Sequence, residues 1–171
     1  PDRFDDHIIS NFRIIERPII IISGLEIRPD KIGPQPLGSK ISFTAMANGS
    51  NLNNLSYRFI LRDCPVTDWS SSPAWEWMTN ETDLGISRIE VQMNAGREIY
   101  SANLSYEIGI LVEDGGDLAV AVSSAQDKNI STVFIKGTHA INNTLEIVDP
   151  SFRLIGLSNT AKITPIGECG L

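Results

Sequence analysis

The chain has 171 residues, 42% hydrophobic and 20% charged, so it can build a substantial core and lacks the composition of a disordered segment. Its formal net charge of −7, with no lysine or arginine stripe, argues against a nucleic-acid backbone or an anionic membrane surface as partner. The most apolar run, residues 19–22, falls far short of the ~18 residues that a membrane-spanning helix needs.

In chain order, the polar and acidic start from Pro1 to Asp6 does not read as a signal peptide. The expectation is therefore a processed chain or a piece of a longer one. Alternation and β-branched residues then outweigh helical periodicity throughout. Strands are predicted over residues 8–15, 19–27, 40–47, 55–62, 74–79, 86–93, 99–112, 118–123, 130–136, 144–148 and 152–157. Residues 28–39 carry three prolines and two glycines and form a loop. Turn chemistry recurs at Asn48-Gly49-Ser50, Asp83-Leu84-Gly85, Asp114-Gly115-Gly116-Asp117 and Gly137-Thr138. One face of residues 55–61 carries Leu55, Tyr57, Phe59 and Leu61, and residues 86–93 turn Ile89, Val91 and Met93 inward. Period-2 burial of this kind in many short strands predicts a two-sheet core, hence an all-β sandwich.

Asn-x-Ser/Thr triplets begin at Asn48, Asn54, Asn80, Asn103, Asn129 and Asn142. With 12 asparagines and 26 serines or threonines among 171 residues, chance alone gives about two such triplets. The excess points to a chain exposed to N-glycosylation, although Asn, Ser and Thr also crowd together in turns. Asn48, Asn54, Asn80 and Asn142 sit in predicted turns, where a glycan is solvated. Asn103 sits inside a predicted strand and is usable only if its side chain faces water.

Two cysteines, Cys64 and Cys169, admit two readings. A disulfide would close a loop of over a hundred residues and contribute ~4–5 kcal/mol in the chain-entropy model, which requires an oxidising compartment. The alternative is two unrelated thiols. Together with His7 and His139, their spacing matches no tetrahedral zinc site. No cofactor or metal is expected.

Other candidate groups read more simply as structure. Trp69, Trp75 and Trp77 invite a sugar-stacking platform, but a sandwich core also takes large aromatics. Glu113-Asp114-Gly115-Gly116-Asp117 offers hard oxygens to calcium, yet it also reads as a hairpin turn. His139 falls in a predicted loop without a serine or cysteine signature nearby. Catalytic residues are expected to be none.

The run from Gly33-Pro34-Gln35-Pro36-Leu37-Gly38-Ser39-Lys40-Ile41-Ser42-Phe43-Thr44-Ala45 continues through Tyr57-Arg58-Phe59, Trp69-Ser70, Ala74-Trp75-Glu76-Trp77 and Asp83-Leu84-Gly85 to Ile89-Glu90-Val91. It resembles immunoglobulin-like repeat modules of bacterial and methanogen surface proteins, related to PKD-like and triple-tyrosine β-sandwiches. The resemblance covers residues 22–93 and implies tandem modules with an immunoglobulin-like fold. Residues 1–15 resemble the closing strand of such a module and echo residues 97–110.

The expected organisation has three parts. Residues 1–16 form an N-terminal strand that closes a preceding module or is donated to a neighbour. Residues 17–113 form the sandwich. Residues 114–171 add further strands, either as an extension or as a small second β lobe. The expected role is an extracellular or cell-surface structural module that self-associates or meets neighbouring modules, carries covalent N-glycans, binds no nucleic acid and crosses no membrane. The alternative is a carbohydrate- or protein-binding module of a secreted protein.

Overall fold

The computed structural model describes residues 19–96, 98–141 and 144–165. The predicted strand at residues 8–15, the proposed role of residues 1–16, Asn142 and Cys169 lie outside them.

In chain order the strands are β1 (Ile21–Pro29), β2 (Gln35–Pro36), β3 (Lys40–Ser50), β4 (Ser56–Leu61), β5 (Cys64–Pro65) and β6 (Ala74–Met78). A single 3-10 turn (Glu81–Asp83) leads to β7 (Gly85–Ala95) and β8 (Glu98–Val112). The helix α1 (Leu118–Asp127) follows, then β9 (Thr132–Ile135), β10 (Thr138–Ile141), β11 (Arg153–Gly156) and β12 (Lys162–Pro165).

Two antiparallel sheets form a sandwich. One has the order β1-β3-β6, and the facing sheet runs β5-β4-β7-β8. The short β2 joins the second sheet in parallel beside β8, so the chain crosses between sheets at β1 to β2, β2 to β3, β3 to β4, β5 to β6 and β6 to β7. This non-sequential pairing makes the protein an all-β, immunoglobulin-like sandwich. Ile89, Val91 and Met93 are completely buried, as their alternation predicts, and cluster with Phe59 and Ile108 of their own sheet and with Ile41 and Phe43 of the facing one. Burying side chains of this size contributes about 1.5–3 kcal/mol each.

β8 is the longest strand, at 15 residues. Its first part pairs with β7 as far as Ile108. Its last three residues, Ile110 to Val112, instead pair in parallel with β9, which pairs in parallel with β11. A second core gathers there from Leu118, Val122, Ala125, Ile130, Val133 and Ile135. Leu84 packs against both cores.

In this part of the chain several expectations are corrected. Residues 118–123 form a helix, not a strand. Leu118, Val120 and Val122 alternate as a strand would, but Val120 is 64% exposed while Leu118, Val122 and Ala125 are buried at i, i+4 and i+7. Asp117 decides between the two patterns, because its carboxylate accepts from the Val120 amide at 3.1 Å and caps the helix. The Asp114–Asp117 turn therefore joins β8 to α1 and is not a hairpin. Residues 144–148 join no ladder, whereas the predicted turn at Gly137-Thr138 opens into β10, which pairs in parallel with β12. In the sandwich, Asn48-Gly49-Ser50 is not a turn, since β3 continues through it and Gly24 faces Asn48.

Candidate functional site

The five described sequon asparagines, Asn48, Asn54, Asn80, Asn103 and Asn129, are all exposed. Asn103 is the informative case, because strand periodicity decides it. Ala102 and Leu104 pack against the core, so Asn103 points from β8 to the outer face, opposite Glu90 of β7. Asn54 and Asn129 occupy left-handed backbone, each at φ near 54–58°, a region that asparagine enters more readily than most residues.

Asn80 is the N-cap of the 3-10 turn. Its Oδ1 accepts from the Thr82 amide at 3.0 Å and from the Thr82 hydroxyl at 2.8 Å. Its backbone N–H donates to Asp83 Oδ2 at 2.9 Å, which completes a capping box. The other Asp83 oxygen accepts from Arg62 Nη2 at 3.0 Å, with the carboxylate side chain only 5% exposed. Arg62 also donates to Ser87 Oγ and the Thr82 carbonyl. A sugar on Asn80 would replace one Nδ2 hydrogen and leave Oδ1 free to cap, so the turn and a glycan are compatible. The Asn80-x-x-Asp83 spacing is a sequence-level signature of this cap; the Arg62 contact, 21 residues away, leaves no such trace.

The tryptophans separate. Trp77 is buried, and Trp75 stacks on Phe43 with ring centroids 5.7 Å apart and on Trp77 at 6.2 Å. Both belong to the sandwich core. Trp69 is 37% exposed, and the Arg58 guanidinium lies 4.9 Å over its ring. From there a polar ladder crosses the outer face of β4 and β7. Arg58 donates to Gln92 at 2.6 Å, Gln92 to Glu90 at 3.0 Å, and Arg88 to the other Glu90 oxygen at 3.1 Å. Asn103 continues this face.

The acidic run after β8 is committed to internal bonds. Glu113 pairs with Lys136 at 3.1 Å, Asp114 accepts from the Thr138 amide at 2.6 Å, and Asp117 caps α1. Among the described residues no group of three His, Cys, Asp or Glu side chains is placed to hold a metal ion. His139 lies on β10, not in a loop. It is fully buried, with Nδ1 3.1 Å from the Gly116 carbonyl and Nε2 3.1 Å from the Lys136 carbonyl. It therefore ties α1's approach to the second core. Cys64 is exposed at the end of the two-residue turn Arg62-Asp63, both of whose residues have positive φ, as a tight hairpin demands.

Tyr106 anchors the loop before β2. Its hydroxyl donates to the Lys31 carbonyl at 2.7 Å. Burial, reinforced by the nearby Asp30 charge, pushes its pKa up to about 12. A groove of about 470 Å³ opens beside it, between Ile32 and Pro34 on one side and Ile86, Leu104 and Arg153 on the other. Arg153 there holds Glu107, whose carboxylate also accepts from the Ser131 amide and hydroxyl.

No known family profile matches this sequence, and no curated relative matches it. Among solved structures, the chain is similar to the fibronectin(III)-like modules of CbhA from Clostridium thermocellum, at 14% identity over 52% of this chain and 48% of that one, with a TM-score of 0.33. It thus spans about half the length of that structure. It is also similar to a sialyltransferase from Photobacterium damsela, at 10% identity over 74% of this chain and 30% of that one, with a TM-score of 0.28. The sandwich itself is read from the chain's own strand order. No described helix is long and apolar enough to cross a membrane.

Proposed function

We propose that this chain is a non-catalytic extracellular structural module, a subunit or repeat of a glycosylated cell-surface assembly such as a filament, sheath, surface layer or adhesin. The exposure of all five described sequon asparagines carries this reading, above all that of Asn103, which strand alternation alone turns to solvent. An immunoglobulin-like sandwich suits serial stacking, and the PKD-like resemblance of residues 22–93 supports a place among surface repeats. Glycans on the outer face keep such an assembly solvated, and sheet edges such as β1 and β6 meet neighbouring modules. Assembly proceeds by β-strand exchange, with residues 1–16 as the donated strand.

Intact mass before and after deglycosylation, under non-reducing conditions with alkylation, tests the glycans and the Cys64–Cys169 bond together. A secreted chain at its unmodified polypeptide mass sinks the glycoprotein reading, and two alkylated thiols sink the disulfide. Negative-stain micrographs of the native protein are expected to show polymers. A strict monomer contradicts the assembly reading, and polymers unchanged by deletion of residues 1–16 contradict strand exchange.

A second reading rests on Trp69 and its stacked Arg58. In it the outer face of β4, β7 and β8 recognises a saccharide or protein. Sugar titration then quenches or shifts tryptophan emission, and Trp69→Ala removes the response while the buried Trp75 and Trp77 remain.

A further inference from the structure

The end of α1 brings a sequon asparagine into the lining of a cavity. The helix closes in a Schellman motif. The Ile130 amide donates to the Ala125 carbonyl at 2.8 Å, and the Asn129 amide donates to the Gln126 carbonyl at 3.1 Å. This motif requires the residue between them to adopt left-handed backbone, and Asn129 does so at φ 54°. Ile130, which follows, is buried in the second core. The backbone at Asn129 is thus held from both sides.

Asn129 lines a cavity of about 310 Å³ together with Gln126, Asp127, Val148, Asp149 and Phe152. The cavity has an amphipathic lining. Phe152 packs against the second core and offers the apolar wall, and Val148 stands 75% exposed beside it. Asp127 and Asp149 supply acceptors, and Gln126 bridges from α1 to the Glu146 carbonyl at 3.0 Å. Asp149 is itself held by the Ser151 amide and hydroxyl, at 2.8 and 2.7 Å. A lining that combines apolar side chains with carboxylate acceptors matches a pyranose ring, which has an apolar face and a rim of hydroxyl donors.

We propose that the cavity beside Asn129 is the seat of the first pyranose of an N-glycan attached to that residue, with the ring against Phe152 and Val148 and its donors toward Asp127 and Asp149. The inference rests on the glycoprotein reading above. Attachment forms a bond between Asn129 Nδ2 and the sugar's anomeric carbon and breaks that carbon's bond to the diphosphate of a lipid-linked donor; the displaced amide proton goes to solvent. The seated sugar then covers Val148 and joins α1 to residues 144–152, a segment with no ladder of its own.

The test uses the full chain secreted from an N-glycosylating host, digested natively with a peptide N-glycosidase, with glycopeptide mass followed over time. The Asn129 glycan is expected to be released several-fold more slowly than those on Asn48, Asn54 and Asn103, and the difference is expected to vanish after unfolding. Val148→Ser, at an exposed position, is expected to speed release at Asn129 alone. Asn129→Gly keeps the left-handed backbone, removes the sugar, and is expected to raise hydrogen exchange in residues 144–152. A glycan on Asn129 released as fast as the others overturns the seat and leaves the glycoprotein reading standing. An Asn129 peptide without sugar, beside occupied sites elsewhere, overturns the seat at its first premise. Bare peptides at every sequon overturn both readings.

Discussion

At the scale of single residues, buried polar contacts make the sharpest demands. Asp83 is almost fully buried and is balanced by Arg62, which is itself 39% exposed. Arg62→Ala strands the carboxylate and is expected to cost about 2 kcal/mol, less than a fully buried pair because water reaches the guanidinium site. Arg62→Lys should cost less than Arg62→Ala, since it keeps the charge while losing the donor fork. Urea denaturation of the two variants against the parent measures both. Tyr106 sets an alkaline limit. Its native pKa of about 12 lies above the ordinary value near 10, so the folded state favours the protonated phenol. That stability is fully present below pH ~10 and drains away as pH rises toward about 12. Tyr106→Phe is expected to lose the Lys31 hydrogen bond at neutral pH yet flatten the decline in melting temperature between pH 10 and 12. Sequence reading reached the sequons, because a triplet is contiguous. It missed Arg62–Asp83 and Trp69–Arg58, because partners brought together by folding leave no pattern along the chain.

At the scale of elements, the sandwich strands were legible where one face is buried and the other wet. Period 2 at residues 55–61 and 86–93 reports that asymmetry directly. The same rule misled at residues 118–123, where Leu-Ala-Val-Ala-Val satisfies both periods over a short window. Small alanines hide the helical face, and the deciding residue, Asp117, lies just before the segment. Asp117→Ala should therefore cost about 1 kcal/mol and reduce helical circular dichroism, whereas a strand would not notice the change. β10 was hidden because it opens on Thr138, inside the Gly137-Thr138 turn signal, and β12 because it ends in a proline.

At the scale of the whole molecule, the two cores share β8 and the side chain of Leu84, so they should unfold together. Tryptophan fluorescence reports the sandwich through Trp75 and Trp77, and the helical signal reports α1. Their urea transitions are expected to coincide; separate midpoints would mean that the halves are independent. Gly109 tests the coupling. A Cβ there would meet the Thr132 carbonyl at 2.6 Å and the Phe134 ring at 2.8 Å. Gly109→Ala is expected to cost about 1–3 kcal/mol and to lower both transitions. The continuity of β8 into the second core left no signal along the chain, because a shared strand looks in sequence like an overlong one.

A strand of 15 residues runs roughly 50 Å. Most two-part proteins meet at a linker that bends when pushed. Here the junction lies within a continuous strand, at Gly109 between the β7 and β9 ladders, with no linker to bend. Torque applied to one half must reach the other undiminished or tear a ladder. If units of this kind are joined as proposed above, slack gathers between copies rather than across β8.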